Sequence, residues 1–303
     1  MRKILVTGGS GLVGNHLREI LPEATYISSK DYDLTSETDV KNLFENQWTH
    51  VVHLAARVGG ILENINHPAE FIEQNLLMNT LLLKYARLNN IPRLTAILST
   101  CIYPDVYEKY PLAEEDLHNG APQKSNFAYA VAKRALAVQI DAYNQQYNAK
   151  YNYLIPCNLY GEFDKVDENR SHYLTALIGK LIKAERNGET EIKLLGTGKP
   201  MRQFLYGGDL ARVIKFCIEN GVTESFNVAT NDNLSIRRIA EIALQACGLD
   251  NLELVFDTTS PDGQFRKDVF NEKMKKVLPD FQFTPLENGI NKVFQYYKAH
   301  NIV

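Results

Sequence analysis

The chain has 303 residues, a formal net charge of −3 and no run of basic residues. That length allows one large domain or two modest ones with a sizeable core, and the weakly acidic balance argues against nucleic acid as a main partner. Cys101, Cys157, Cys217 and Cys247 are scattered without CxxC spacing, so neither a disulfide framework nor a metal site is expected; with no signal-peptide or membrane-span pattern, a soluble cytoplasmic protein is expected.

The first apolar β-type run, residues 3–7, leads into TGGSGLVG, and a helical pattern over 12–21 follows. Gly8, Gly11 and Gly14 fall in a G-x-x-G-x-x-G spacing. Glycines so placed permit a tight turn, close backbone approach to a pyrophosphate and close helix–strand packing. The helix N-terminus then faces the phosphates. With a strand before and a helix after, the motif reads as a dinucleotide-binding turn, with Gly8, Gly11, Leu12 and Val13 as cofactor contacts. A second strand, 24–27, ends in Ser28, Ser29 and Lys30. A carboxylate there would bind a ribose 2′-hydroxyl and repel a 2′-phosphate. Two hydroxyls and a positive charge favour NADP over NAD, with a plain solvated turn as the alternative that Asp31 and Asp33 keep open.

Further strands at 50–54, 94–98 and 151–157 alternate with helical patterns at 38–46, 68–90 and 128–148. Apolar strands joined by helical crossovers predict an α/β fold, a doubly wound parallel sheet of the Rossmann type. Beyond residue 158 come a polar loop (161–171), a helix (173–186), a strand (191–195) and the turn-rich GTGKP. A helix from 209, a strand at 226–229, a helix from 235, a strand at 252–256 and a helix at 286–300 complete the chain. The expected division is a cofactor domain of residues 1–158 plus about 203–230, and a smaller mixed α/β substrate domain of about 159–202 and 231–303.

The strand at 94–98 runs into Ser99, Thr100 and Cys101. At the carboxyl end of a parallel strand, Ser99 lies on the edge where ligands bind. Tyr129 and Lys133 stand at i and i+4 in YAVAK, on one helix face. A neighbouring ammonium is expected to lower the pKa of the phenol, which could then exchange a proton with a substrate oxygen near neutral pH. Ser99 would hydrogen-bond the same oxygen.

These segments resemble the extended short-chain dehydrogenase/reductase family, and within it the GDP-L-fucose synthase branch. The resemblance rests on HLAARVGGI (53–61), HPAEFIEQN (67–75), STCIYP (99–104), YAVAK, NLYG (158–161), SH (171–172) and GTGKPMRQFL (196–205), in the expected order. It implies NADP(H) laid across the glycine turn, with Leu54, Ala55 and Ala56 behind the cofactor and Lys133 on its ribose. It implies a GDP-linked 4-keto-6-deoxy sugar as substrate, hydride delivery to C4, and a proton from Tyr129 to the C4 oxygen. Cys101 and His172 match the family's proton-exchanging pair for C3 and C5. Val58, Gly59 and Asn158 would line the sugar pocket, Lys180 and Arg202 would face the diphosphate, and Lys267 beside Arg266 would close over the nucleotide. A homodimer through helices 68–90 and 128–148 is also implied; their apolar faces otherwise read as burial against the sheet.

The sequence departs from that branch in places. NLYG continues as Glu162-Phe163-Asp164-Lys165-Val166 instead of Pro-His-Asp-Asn-Phe. Leu195 stands where a tryptophan usually covers the base, and Leu205-Tyr206-Gly207-Gly208-Asp209 replaces Leu-His-Val-Asp-Asp. Ser10 replaces an arginine frequent in bacterial members, which removes one 2′-phosphate contact. Hexose and heptose substrates both stay open, as does C4 reduction with or without epimerisation. The alternatives are a 4-epimerase or 4,6-dehydratase with tightly held NAD, and a non-catalytic dinucleotide sensor. Thr100-Cys101, where dehydratases carry an acidic pair, speaks against the dehydratase; Ser99, Tyr129 and Lys133 together speak against the sensor. His53 reads as a core histidine, and His16, His50, His67, His118 and His300 show no evident partner.

Overall fold

The computed structural model describes residues 2–166, 172–260 and 262–303. Its strands are β1 (Ile4–Thr7), β2 (Thr25–Ile27), β3 (His50–His53), β4 (Arg93–Ile97), β5 (Tyr151–Pro156), β6 (Asn158–Tyr160), β7 (Glu191–Leu195), β8 (Met201–Arg202), β9 (Phe204–Tyr206), β10 (Phe226–Val228), β11 (Leu234–Ser235) and β12 (Glu253–Asp257). The helices are α1 (Leu12–Ile20), α2 (Glu37–Leu43), α3 (Ile61–Asn66), α4 (Pro68–Leu88), α5 (Phe127–Tyr147), α6 (Tyr173–Asn187), α7 (Gly207–Asn220), α8 (Ile236–Cys247), α9 (Glu272–Val277) and α10 (Leu286–Ala299).

Six strands form one parallel sheet in the order β2-β1-β3-β4-β5-β10. β1 and β3 are buried at every position, as central strands covered on both faces must be. α1 packs with α7 in one layer, and α4 packs with α5 and α2 in the other. Strand order reverses between β1 and β3, the switch point where open α/β sheets bind ligands beyond their carboxyl ends. Register brings those ends level: Thr7 lies opposite His53, His53 opposite Ala96, and Ile97 opposite Leu154.

A second core lies beside three two-stranded pairings, β6 with β9, β7 with β12 and β8 with β11. β7 alternates exposed and buried positions, the period-2 pattern of a half-buried strand. Its Ile192 and Leu194 meet Leu177 and Leu181 of α6, Ile239 of α8, and Ile290 and Phe294 of α10. The larger core under the six-stranded sheet also takes Val269, Met274 and Leu278.

The predicted strands and long helices are present, with shifted ends. α2 starts after Ser36, whose hydroxyl accepts from the Asp39 N–H at 3.3 Å, and stops at Leu43 because Phe44 and Trp48 turn into the core. Sequence reasoning misses α3, α9, β6, β8, β9 and β11, which span two to six residues and are too short to show a period. Among the described residues, no helix is long and apolar enough to cross a membrane.

Gly289 of α10 packs against Tyr160, whose ring is 1% exposed and cannot swing away. A methyl group at position 289 would collide with the Tyr160 hydroxyl. Gly289→Ala is expected to destabilise the fold by about 1–3 kcal/mol through overpacking. Thermal denaturation checks this; an unchanged melting temperature would contradict the packing.

Candidate active site

β1 ends in a turn that only small residues allow. Gly8 has φ +71°, and a Cβ on it would lie 2.7 Å from the Ala55 nitrogen, so the chain after β1 touches the chain after β3. The Gly11 N–H donates to the Gly8 carbonyl at 3.0 Å, and Gly11 caps α1 without a side chain. This leaves the first N–H groups of α1, at Leu12 and Val13, facing the turn with no capping oxygen in their way. A Cβ on Gly14 would sit 2.7 Å from the Gly8 carbonyl. The cradle fits a pyrophosphate, and Leu54, Ala55 and Ala56 form its neighbouring edge.

At the end of β2 the hydroxyl of Ser28 donates to Asp31 at 2.8 Å, and its backbone N–H donates to the same carboxylate at 2.7 Å. These bonds, backbone first, hold the Asp31 carboxyl below its ordinary range. Ser28 is therefore engaged with Asp31, whereas Ser29 and Lys30 are exposed.

A buried chain of polar groups supports the switch point. Asn79 of α4 meets His53 Nε2 at 3.0 Å, His53 Nδ1 meets the Thr7 hydroxyl at 2.8 Å, and that hydroxyl accepts from the Ala55 N–H at 3.3 Å. With Asn79 as acceptor, His53 carries its proton on Nε2 and accepts from Thr7, so both ring nitrogens are satisfied. Burial, then the Lys133 charge, push the His53 pKa down to about 4. His53 is thus a neutral strut, as expected of a core histidine.

Beyond β4, Ser99 begins a single 3₁₀ turn over Thr100–Ile102, and its hydroxyl accepts from the Cys101 N–H at 3.4 Å. Lys133 of α5 is 2% exposed and donates from Nζ to the Ile97 carbonyl at 2.9 Å. Burial lowers its pKa to about 8, against the opposing pull of Cys101. Tyr129, one turn earlier, lies edge-on to Phe71 with ring centroids 6.5 Å apart. Here the structure corrects the sequence-based expectation. Burial and then Cys101 push the phenol pKa well above its ordinary 10. The Lys133 ammonium is bonded to a backbone carbonyl, and desolvation disfavours the phenolate.

Next to this cluster, Val58 is exposed and Gly59 packs so closely on Glu63 and Phe71 that a Cβ would clash. Asn75 is fully buried and bonds both the N–H and the carbonyl of Arg57, each at 3.1 Å, which fixes this loop. A cavity of about 210 Å³ is lined by Asn158, His172, Tyr173, Leu195, Arg202 and Phe204, among others. His172 stands at the N-terminus of α6 without capping it. Ser171 of the SH match lies outside the described residues. Burial lowers the Arg202 pKa, with Asp262 opposing. Burial first, and Arg202 as well, lower the Lys267 pKa, with Cys101 among the groups opposing. Lys180 is not brought there; it is exposed on α6 and donates to the Lys193 carbonyl at 3.1 Å. A larger cavity of about 410 Å³, between α1, α7 and α10, contains none of the sequence-predicted site residues.

The departing loop has its own partners. Glu162 stands 3.2 Å from His16 Nε2 and accepts from the Tyr206 hydroxyl at 2.6 Å. Phe163 packs edge-on to His16 and Tyr296, and Asp164 accepts from Thr175 at 2.5 Å. None of the three lines the 210 Å³ cavity. His16 therefore has a partner that the sequence does not reveal. So do His50, bonded to Thr95 at 3.0 Å, His67, 3.4 Å from Glu70, and His300, bonded to the Tyr296 carbonyl at 2.9 Å. Sequence reasoning also misses Arg134, which grips the turn that carries Cys101; no local pattern marks it.

A family model described as NAD dependent epimerase/dehydratase matches residues 4–229. The chain is 37% identical over 307 residues to the GDP-L-fucose synthase of Dictyostelium discoideum, covering 98% of this chain and 95% of that protein. Among solved structures, a GDP-L-fucose synthetase from Naegleria fowleri bound to NADP matches with a TM-score of 0.91 at 34% identity, over 99% of this chain and 93% of that one. A GDP-mannoheptose C4 reductase from Campylobacter jejuni with NADP bound matches with a TM-score of 0.86 at 27% identity, over 98% of each chain.

The buried histidines set a pH dependence. His50 is pushed down to about 4 by burial and by Arg93 and Arg2, and His53 likewise to about 4, each from an ordinary 6.5. The unfolded chain takes up protons below 6.5 that the folded chain refuses until about 4. Stability is therefore expected to fall as pH drops through this window, by up to about 3 kcal/mol per histidine. Urea denaturation of His53→Gln should show a flatter slope there by about one proton's worth, ~1.4 kcal/mol per pH unit. An unchanged slope would show that His53 titrates normally.

Proposed function

The chain belongs to the NAD dependent epimerase/dehydratase family, and from that premise we propose that it reduces C4 of a GDP-linked 4-keto-6-deoxy sugar with NADPH and exchanges protons at C3 and C5. One observation carries the reading. Ser99, Cys101, Tyr129 and Lys133 gather beyond the carboxyl end of β4, on the same sheet edge as the glycine cradle, and His172 and Arg202 line one cavity. The named activities and bound NADP of the relatives support it.

Bound at the cradle, NADPH supplies the hydride for C4. The proposed contacts are Gly8, Gly11, Leu12 and Val13 for its phosphates, Ser29 and Lys30 for the 2′-phosphate, and Leu54, Ala55 and Ala56 along its edge. Tyr129 and Ser99 hold the C4 oxygen. A phenol kept protonated by burial is the form that reduction requires, because the oxygen must receive a proton as C4 is reduced. Lys133 keeps positive charge beside that transfer. The ketone acidifies the C3 and C5 hydrogens, and Cys101 and His172 exchange them. Val58, Gly59 and Asn158 line the sugar, and Arg202 and Lys267 take the diphosphate.

A hexose is the favoured sugar. The fucose synthases are more similar to this chain than the heptose reductase, and Glu162, Phe163 and Asp164 are turned away from the cavity. We further propose a homodimer through α4 and α5, whose surfaces expose Leu77 and Val138. Four unpaired cysteines suit the reducing cytoplasm, where we place the reaction.

The purified protein should oxidise NADPH when given GDP-4-keto-6-deoxy-mannose, and product NMR identifies the sugar; no oxidation with any ketosugar of this class would refute the reading. Tyr129→Phe should lower kcat by about 10²–10⁴ with unchanged circular dichroism, and near-wild-type turnover would remove Tyr129 from the mechanism. Lys30→Glu should weaken NADPH relative to NADH by at least about tenfold in kcat/KM.

A further inference from the structure

Two adjacent cations of α5 hold the two ends of the segment that carries Ser99 and Cys101. Lys133 donates to the carbonyl of Ile97, before Ser99. Arg134 donates from Nε to the carbonyl of Ile102, just after Cys101, at 2.8 Å, and its Nη2 donates to the same oxygen. Its Nη1 donates to the Gly120 carbonyl at 2.9 Å. A planar guanidinium bonded in this way is fixed in direction, which a lysine cannot match. The turn between the grips is closed by the Ile102 N–H on the Ser99 carbonyl at 3.1 Å. Among the described residues, no carboxylate pairs with Arg134. Burial lowers the Arg134 pKa, and the nearby Cys101 opposes that shift.

Resting on the reading that Cys101 exchanges protons with the sugar, we propose that Arg134 is a positioning residue for that exchange. It aims the turn carrying the Cys101 sulfur and sets a positive charge beside it. In the exchange a C–H bond breaks, an S–H bond forms, and the electron pair passes into the enolate of the C4 ketone; the reverse step returns a proton equilibrated with solvent. Positive charge fixed near the sulfur favours the negative charge that moves between sulfur and sugar. Ser99 lies at the other end of the segment, which Lys133 holds, so C4 reduction depends on Arg134 far less.

The test measures deuterium incorporation at C3 and C5 in D₂O and, separately, NADPH oxidation with a ketosugar that is already epimerised. Arg134→Gln should slow the exchange by about 10- to 100-fold, the scale of a misplaced catalytic group, while reduction falls by less than about threefold. Arg134→Lys keeps the charge without the fork and should fall between Arg134→Gln and wild type. Equal losses in exchange and reduction, or exchange within about twofold of wild type, would overturn the proposal. If Arg134→Gln fails to fold by circular dichroism, Arg134→Lys decides: a lowered exchange-to-reduction ratio supports the role and an unchanged ratio refutes it. Wild-type enzyme that reduces without incorporating deuterium would refute the epimerase reading, and this inference with it; wild type that exchanges while the variants match it refutes this inference alone.

Discussion

A buried ammonium needs a partner, because an isolated charge in a protein interior costs several kcal/mol. Lys133 finds one in the Ile97 carbonyl, at the point where β4 leaves the sheet. That bond fixes the rotation of α5 against the sheet edge. Tyr129, one turn earlier on the same face, is thereby placed over the end of β4, and Arg134, one residue later, reaches the far side of the turn. The same charge explains the neighbouring histidine. His53 lies within electrostatic range of Lys133 and is held neutral by burial and by that charge together, so Asn79, His53 and Thr7 form a chain of dipoles and not of ions.

Burial decides which form of Tyr129 is favoured. An exposed tyrosine beside a lysine would lean toward phenolate, the form suited to removing a proton from an alcohol. Desolvation of its hydroxyl favours the phenol of Tyr129, which is the form suited to giving a proton to a ketone. Lys133, drawn down to about 8, stays largely charged near neutral pH, so the proton reservoir and the positive charge coexist.

Legibility in the sequence tracked distance along the chain. The glycine turn is legible because strand, turn and helix lie within one short stretch, and the three glycines have steric reasons that follow from spacing alone. Tyr129 and Lys133 are legible because i and i+4 share a helix face. Arg134 is not, since its carbonyl partner lies 32 residues earlier. The departing residues show the same limit. Glu162 and Tyr206 look like two separate losses of family pattern, yet they bond each other at 2.6 Å. Gly207 completes the set, for a Cβ there would press on the His16 ring at 2.8 Å. One rearranged contact around His16 accounts for both departures and leaves the cavity wall untouched. Leu195 is different: it lines the cavity itself, so that departure does alter the cavity wall. Lys180 shows the opposite failure, a match by position whose side chain is spent on the backbone of β7.

Two cations, Arg202 and Lys267, stand on segments that are tied to each other. Gln203, 3% exposed, donates to the carbonyls of Thr230 and Val269 and accepts from the Val269 N–H at 2.9 Å, so the strand bearing Arg202 is tied to the segment bearing Lys267. Asn158 adds a bond to the Gln203 carbonyl at 2.8 Å. Arg266 is bonded to the buried Asp268 at 2.6 Å and lies over the Tyr110 ring. Arg202 and Lys267 are both partly buried, burial lowers the pKa of each, and the charge of Arg202 lowers that of Lys267 further. Such an arrangement is unfavourable on its own, since like charges in a low-dielectric site repel and neither is fully hydrated. An anion with two negative groups would relieve both costs at once, and the diphosphate of the proposed substrate carries such charge.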